Sequence, residues 1–347
     1  MRKYLVTGGA GFIGSNFIRS LLGSGSKVIN LDLLTYAASK ATISNFKNYK
    51  NYKFIKGDIK NKEILNYIFK KLKPDTIINF AAETHVDRSI DEPNSFVNTN
   101  ILGVFQLLNN SLNYWKKNKK KNFKFIQVST DEVYGSILKG SSEENSLLSP
   151  SSPYSASKTS ADHLVLSFYK TYKFPCIIAR PSNNYGPFQF PEKLIPLIII
   201  NALNEKKLPI YGNGKNIRNW LYVEDTVNAL KTVSAEGKLG NIYNIGGPDE
   251  VSNIDLVKII CNMLNNICPR KNKMKYHSLI QKVDDRPGHD FRYSLNSSKI
   301  RKELNWKPKI KINQGLELTI RWYINNNSWW EPIRKFKYKG ERLGKKN

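Results

Sequence analysis

The residues best suited to chemistry are Thr130, Asp131 and Glu132, within Ser129-Thr130-Asp131-Glu132-Val133-Tyr134-Gly135, and Tyr154 and Lys158, within Tyr154-Ser155-Ala156-Ser157-Lys158. A tyrosine near its reference pKa of about 10 is a poor base at neutral pH. A lysine one helical turn on reaches the same face and, like any nearby positive charge, stabilises the phenolate. Tyr154 can then take the proton of a hydroxyl whose carbon gives up a hydride. The adjacent carboxylates add a second chemistry. Oxidising an alcohol to a ketone acidifies the neighbouring C–H; a carboxylate removes that proton, and a protonated carboxylic acid expels a hydroxyl one carbon further on as water. Asp131 is assigned as the acid, Glu132 as the base, and Thr130 as a hydrogen-bond partner of the reacting hydroxyl. Neighbours in a strand face opposite ways, so the backbone must turn here for both acids to reach one substrate. On these residues alone, plainer readings stay open: two acids capping a helix, and a Tyr/Lys pair on a helix surface.

The elements that must position these groups are legible around them. Lys124-Phe125-Ile126-Gln127-Val128 reads as a buried strand, and ligands collect at the carboxyl ends of strands in an open α/β sheet. At the start of the chain, Lys3-Tyr4-Leu5-Val6 reads as a strand leading into Thr7-Gly8-Gly9-Ala10-Gly11-Phe12-Ile13-Gly14. A helical pattern follows at Phe17, Ile18, Leu21 and Leu22. Glycines there allow a tight turn and close backbone approach to a pyrophosphate, and the helix amino end offers unpaired N–H groups. Strand Lys27–Leu31 ends in Asp32, near the ~20-residue spacing at which a carboxylate holds an adenosine ribose diol. A carboxylate repels a 2′-phosphate and no arginine follows nearby, which favours NAD over NADP; Asp32 as a simple loop cap is the alternative. Strands at 52–55 and 76–80 with a helix at 63–72 continue the alternation of a doubly wound parallel sheet. Asp58 is expected by the adenine and Ala81-Ala82 along the cofactor path.

A helix over 93–117 carries Phe96, Val97, Ile101, Val104, Phe105, Leu107 and Leu108. The Tyr154 helix carries Ala161, Leu164, Val165, Phe168 and Tyr169. Both exceed one narrow apolar stripe, which fits either a helix-pair dimer interface or a wide core face. A Ser-, Glu- and Pro-rich loop at 136–152 is expected to cover the site. Beyond strand Cys176–Ala179, the segment 181–187 leaves the sheet, and a helix at 192–203 with strands at 209–211 and 218–223 suggests a smaller lobe. The expectation is an α/β chain: a Rossmann-type domain over 1–181, its sheet completed by parts of about 218–250, an interleaved substrate-binding lobe over 182–330, and a basic tail over 331–347. Residues 284–290 read as a polar loop. The tail is expected to be peripheral, its start anchored by Trp329 and Trp330.

Lys and Arg number 55 against 28 acidic residues, a net charge of +27 over 347 residues. The lysines are scattered, and the densest cluster, 116–121, sits where a helix end favours cations. An anionic small-molecule substrate fits this charge better than nucleic acid. No apolar run reaches the ~20 residues of a bilayer span, and Met1-Arg2-Lys3 leads into a strand rather than a signal peptide. Cys176, Cys261 and Cys268 show neither metal spacing nor a disulfide framework. A cytoplasmic protein without metal or membrane attachment is expected.

Thr7 to Gly14, Glu83-Thr84-His85-Val86-Asp87-Arg88-Ser89, Ser129 to Gly135, Pro153 to Lys158, Ser182 to Pro187, Pro191 to Pro196 and Asp285-Arg286-Pro287-Gly288-His289-Asp290 together resemble the dTDP-glucose 4,6-dehydratase family of extended short-chain dehydrogenases/reductases. The resemblance spans about residues 2–325. It implies a homodimer with tightly held NAD. The glucosyl ring would be oxidised at C4, water lost across C5–C6, and hydride returned to C6, giving a 4-keto-6-deoxy sugar for rhamnose and other deoxysugars. The cofactor contacts it implies are Gly8, Gly11, Phe12, Ile13, Gly14, Asp32, Leu33, Thr35, Asp58, Ile59, Ala81, Ala82, Thr99, Tyr154 and Lys158. The implied substrate contacts are Thr84, Thr130, Asn183, Lys193, Leu194, Pro209, Tyr211, Arg218, Asn253, Arg286 and His289. Arg218 and Arg286 suit a diphosphate, and Tyr211 offers a face or edge to the base. Thr84, Pro181, Asn219 and Thr226 depart from the serine, cysteine, aspartate and histidine common in the family. Rival readings are a nucleotide-sugar 4-epimerase, which needs no carboxylate pair, a decarboxylase of a uronic sugar nucleotide, and a non-catalytic NAD-sensing or nucleic-acid-associated scaffold.

Overall fold

The computed structural model describes residues 2–118 and 120–344; Met1, Lys119 of the lysine cluster and the last three residues of the tail lie outside it. The strands in chain order are β1 (Lys3–Thr7), β2 (Lys27–Asp32), β3 (Tyr52–Lys56), β4 (Thr76–Asn79), β5 (Lys124–Val128) and β6 (Cys176–Pro181). They continue with β7 (Asn183–Tyr185), β8 (Leu208–Tyr211), β9 (Ile217–Tyr222), β10 (Ile242–Ile245), β11 (Asp249–Ser252) and β12 (Ile280–Val283). Seven form one sheet in the order β10-β6-β5-β4-β1-β2-β3, parallel at every pairing. Apolar clusters on its two faces explain why β4, β5 and β6 read as near-continuous hydrophobic runs. Strand order reverses between β1 and β4, and a ligand crevice opens at such a switch point.

A second body has its own core, including Tyr185, Ile198, Trp220, Leu256 and Tyr323. It is built on the three-stranded sheet β11-β9-β7 and the pair β12-β8. Thus β10 joins the large sheet, whereas β9 belongs to the small one.

The run over 93–117 is not one uniform helix. Helices Pro93–Phe96 and Val104–Asn118 flank a π-helical turn, Val97–Gly103. Such wide turns recur at functional sites, and here the turn carries Thr99 and Asn100. Asn100 braces the neighbouring loop, accepting from Glu83 N–H at 2.9 Å and donating to Glu83 O and Ser157 Oγ. Most of the apolar surplus on this run and on helix Pro153–Tyr172 is spent on the core: Phe96, Val104, Leu107, Leu108, Ala161, Val165 and Phe168 are buried, while Val97, Leu102 and Phe105 stay exposed.

The tail corrects the expectation that it is peripheral. Trp329 and Trp330 are buried, and their indole N–H groups donate to Thr42 Oγ1 and Tyr323 O. Past helix Asn327–Phe336, Lys337 Nζ donates to Ala38 O at 2.5 Å, and Gly344 N–H donates to Asp91 Oδ2 at 2.8 Å. The segment is strapped across the molecule because its charged side chains find backbone carbonyls on both lobes.

Candidate active site

The glycine loop follows β1 directly. Gly8 has φ +69°, and a Cβ there would stand 2.6 Å from Ala81 N; one on Gly14 would stand 2.4 Å from Gly8 O. Only glycine lets these segments approach so closely. Helix Phe12–Gly23 starts with no side-chain cap, leaving its first N–H groups for an anion. Asp32, at the end of β2, is aimed by two backbone donors, Ala10 N–H at 2.8 Å and Leu34 N–H at 2.7 Å. Burial pushes its pKa up while those two donors hold it down. One cavity is lined by Gly8, Gly11, Phe12, Ile13 and Gly14 from this loop, by Asp32, Leu33 and Thr35 after β2, and by Asp58 and Ile59 after β3. Ala81, Ala82, Thr84 and Thr99 continue its wall, and Thr130, Asp131, Glu132, Tyr154 and Lys158 complete it. An uncapped helix, a glycine cradle and an oriented carboxylate are a donor set that fits a dinucleotide.

β5 ends at Val128, and the chain turns at once. Thr130 is extended (φ −155°, ψ 157°) and caps a 3-10 turn, Asp131–Tyr134. Its hydroxyl accepts from Glu132 N–H at 3.3 Å and donates to Asp131 Oδ1 at 3.1 Å. The turn is how two consecutive acids come to line one cavity. It is pinned from behind by Arg180 on β6, whose Nε donates to Asp162 at 2.9 Å and whose NH1 donates to Tyr134 Oη at 2.7 Å. Tyr134 in turn donates to Asn244 on β10. Asp131 is 3% exposed, and its Oδ2 has no partner among the described residues.

Burial acts on all four ionisable groups, against different neighbours. Burial, reinforced by Glu132, pushes the Asp131 carboxyl up to about 7, against the Thr130 hydrogen bond and Arg218. Glu132 is also raised by burial but is opposed by Arg286, Lys193 and Arg218. Burial drives the Tyr154 phenol well above its usual value; Glu132 and Asp131 push the same way, and the Thr130 hydroxyl opposes them. Lys158 is brought down to about 8 by burial, with Asp162 holding it up. Its Nζ donates to Val128 O at 2.7 Å, so the ammonium is fixed at the end of β5.

A second cavity joins the first at Glu132, Asn183, Glu192 and Lys193. Its walls include Leu194, Pro209, Tyr211, Arg218, Asn253, Arg286 and His289. Asp87 accepts from Tyr211 Oη at 2.9 Å and from Arg286 NH1 at 2.7 Å. Lys193 Nζ donates to Thr84 O at 2.9 Å, and Arg218 lies over the Tyr293 ring at 4.4 Å. Burial, with Arg286 beside it, lowers His289 to about 4, so the ring is neutral despite its 2.6 Å contact with Asp285.

The family described as GDP-mannose 4,6 dehydratase matches residues 5–319. A probable dTDP-glucose 4,6-dehydratase of Sinorhizobium fredii is 48% identical over 99% of this chain and 98% of its own length. The dTDP-glucose 4,6-dehydratase DesIV of Streptomyces venezuelae, solved with NAD bound, superposes with a TM-score of 0.88 at 42% identity, covering 95% of this chain and 99% of that one. The Bacillus anthracis dTDP-glucose 4,6-dehydratase, solved in complex with NAD, gives 0.85 at 45% identity over 96% and 100%. This chain belongs to the dTDP-glucose 4,6-dehydratase family.

Several wall residues of this dehydratase escaped the sequence reading. Asp87 lay inside a quoted motif, yet its role in holding Tyr211 and Arg286 needs three distant segments to meet. Glu192 accepts from Arg88 Nε at 3.0 Å and Tyr36 Oη at 3.1 Å, tying the loop after β2 to the second lobe. Tyr338, Gly340, Glu341 and Arg342 also line the second cavity; no local pattern marks them. Of the residues that depart from the family's usual types, Asn219 donates to Gly247 O at 2.8 Å and Pro181 lines the first cavity.

Proposed function

We infer that the protein converts dTDP-glucose to its 4-keto-6-deoxy sugar with loss of water, as an NAD-dependent hydro-lyase. The observation that carries this is the turn after β5, which brings Asp131 and Glu132 into the first cavity alongside Tyr154, with Glu132 also at the junction with the second. An epimerase would have no use for that pair. NAD, which the glycine loop and Asp32 would hold, would supply the acceptor and later donor of the hydride. Tyr154 removes the C4 hydroxyl proton and Thr130 hydrogen-bonds the same hydroxyl; Lys158, one helical turn on and fixed at Val128 O, supplies positive charge for the phenolate that burial otherwise disfavours. Glu132 takes the proton from C5. Asp131, neutral up to about pH 7, gives its proton to the C6 hydroxyl, which leaves as water. Arg218, Arg286 and Lys193 neutralise the diphosphate, and Tyr211 and Asn253 border the nucleotide.

The test is turnover of a panel of nucleotide-glucoses, dTDP against UDP, CDP and GDP, read as 4-keto product by mass. Glucose deuterated at C4 should yield product with deuterium at C6; product without that label overturns the reading.

The protein is further proposed to pair with a second copy of itself through exposed Val97, Leu102 and Phe105. A cytoplasmic location is part of the same proposal, and the free thiols of Cys176, Cys261 and Cys268 support it. Among the described residues no helix is long and apolar enough to cross a membrane.

A further inference from the structure

The tail contributes a cation to the second cavity. Arg342 has its guanidinium carbon 5.4 Å from the centre of the Tyr211 ring. Its NH2 donates to the carbonyls of Asp284 at 2.9 Å and Asp285 at 3.1 Å, the residues just before Arg286. The side chain is only 22% exposed, yet NH1 meets nothing better than Asp284 Oδ2 at 3.5 Å, on a side chain that is 98% exposed. A pair of that kind is weak. Two carbonyls and a tyrosine face therefore fix the orientation of a guanidinium that keeps donor capacity to spare, the form in which arginine recognises phosphate or carbonyl oxygens.

Its position says which part of a substrate it meets. The cavities join at Glu132, Asn183, Glu192 and Lys193, where the reacting sugar must lie. Arg342 lines the second cavity and not the first, which holds Asp131, Tyr154 and Lys158; it packs on Tyr211 and on the loop leading to Arg286. The strap that carries it is tied on both sides, by Lys337 to Ala38 and by Gly344 to Asp91, so the guanidinium is set before any ligand arrives, which lowers the ordering cost of binding.

We propose that Arg342 is a substrate-binding residue that grips the nucleoside diphosphate of the sugar nucleotide, brought to the site by the C-terminal strap. This rests on the nucleotide-sugar reading above. The experiment titrates the NAD-bound wild type, Arg342→Ala and Arg342→Lys with dTDP, UDP and GDP by calorimetry, and measures KM and kcat on dTDP-glucose. The nucleotide that binds the wild type best is expected to bind Arg342→Ala at least tenfold more weakly. Arg342→Lys should recover part of that loss, KM should rise with kcat within twofold, and bound NAD content should be unchanged. Recovery by lysine and an unmoved kcat separate a direct grip from a merely loosened strap. Equal affinity of wild type and Arg342→Ala overturns the proposal while leaving the dehydratase reading intact, provided the wild type turns over dTDP-glucose. Failure of the wild type to bind any of the three nucleotides overturns both.

Discussion

At the residue scale the decisive property is that Asp131 and Glu132 are adjacent in sequence but unequal in surroundings. Burial with an acidic neighbour keeps Asp131 protonated to about 7, whereas Arg286, Lys193 and Arg218 all favour the charged form of Glu132. The acid and base were assigned from chemical need alone; burial raises both carboxyls, and the three cations oppose that rise at Glu132. Asp131→Asn should slow water loss by roughly 10²–10⁴-fold while substrate binding persists, and Glu132→Gln should slow solvent exchange at C5 to a similar degree. Mass-monitored single turnovers in D₂O separate the two. The pH dependence has a definite sign. If Asp131 is the acid, as proposed, it works protonated, and kcat/KM should fall as pH rises through about 7, the value held by Asp131. Stability moves the same way. The folded carboxyl binds its proton more tightly than the unfolded one, so its contribution is full below the ordinary carboxylate range and lost as pH rises through about 7. Asp131→Asn removes that titration, and its melting temperature should climb relative to wild type between pH 5 and pH 8, with a span on the order of a few kcal/mol. A difference that does not change with pH would count against the raised carboxyl.

At the element scale, the strand-to-turn transition after β5 is the device that makes the chemistry available, and most of what positions it was visible in the sequence. The alternation of apolar runs and glycines located β1 to β6, and the need for a bend at 131–132 followed from the two-residue period of a strand. What held the bend was not legible. Arg180, Asp162, Tyr134 and Asn244 lie on β6, a helix, the turn and β10, and no local pattern joins four such segments. Arg180 and Asp162 are 1% and 0% exposed. Removing one partner strands a buried charge, so Asp162→Asn should cost about 3–5 kcal/mol in urea unfolding. Asp162 also holds the Lys158 pKa up against burial. Loss of the Lys158 charge should add a second fall in kcat/KM above that of Asp131, and in the same variant this second step should move to lower pH, a change that simple loss of stability would not produce. The glycine loop gives a cleaner case. Gly14→Ala places a Cβ 2.4 Å from Gly8 O and should yield protein with little bound NAD, read from absorbance of the denatured supernatant.

At the scale of the whole molecule, the strap was not legible in the sequence, because a tail rich in Lys and Arg carries no periodicity and takes its shape from carbonyls on other segments. The same scale decides the fate of the apolar surplus on the helices. A wide core face absorbs Phe96, Val104, Leu107 and Leu108, which accounts for much of the pattern without any partner. The remainder, Val97, Leu102 and Phe105, is 46%, 48% and 39% exposed. Val97, Ile101 and Phe105 recur every four residues along one side of the run, so a partner would meet a stripe rather than scattered side chains. A second copy presenting the same stripe would bury it by two-fold symmetry. Phe105→Glu puts a charge in the middle of that contact while leaving the monomer core untouched, so the fold should lose no more than about 0.5 kcal/mol. Sedimentation equilibrium should show a dimer for wild type and a monomer for the variant, with NAD still bound. A variant that sediments as wild type does would move the interface elsewhere, and a monomeric wild type would leave the stripe to some other partner.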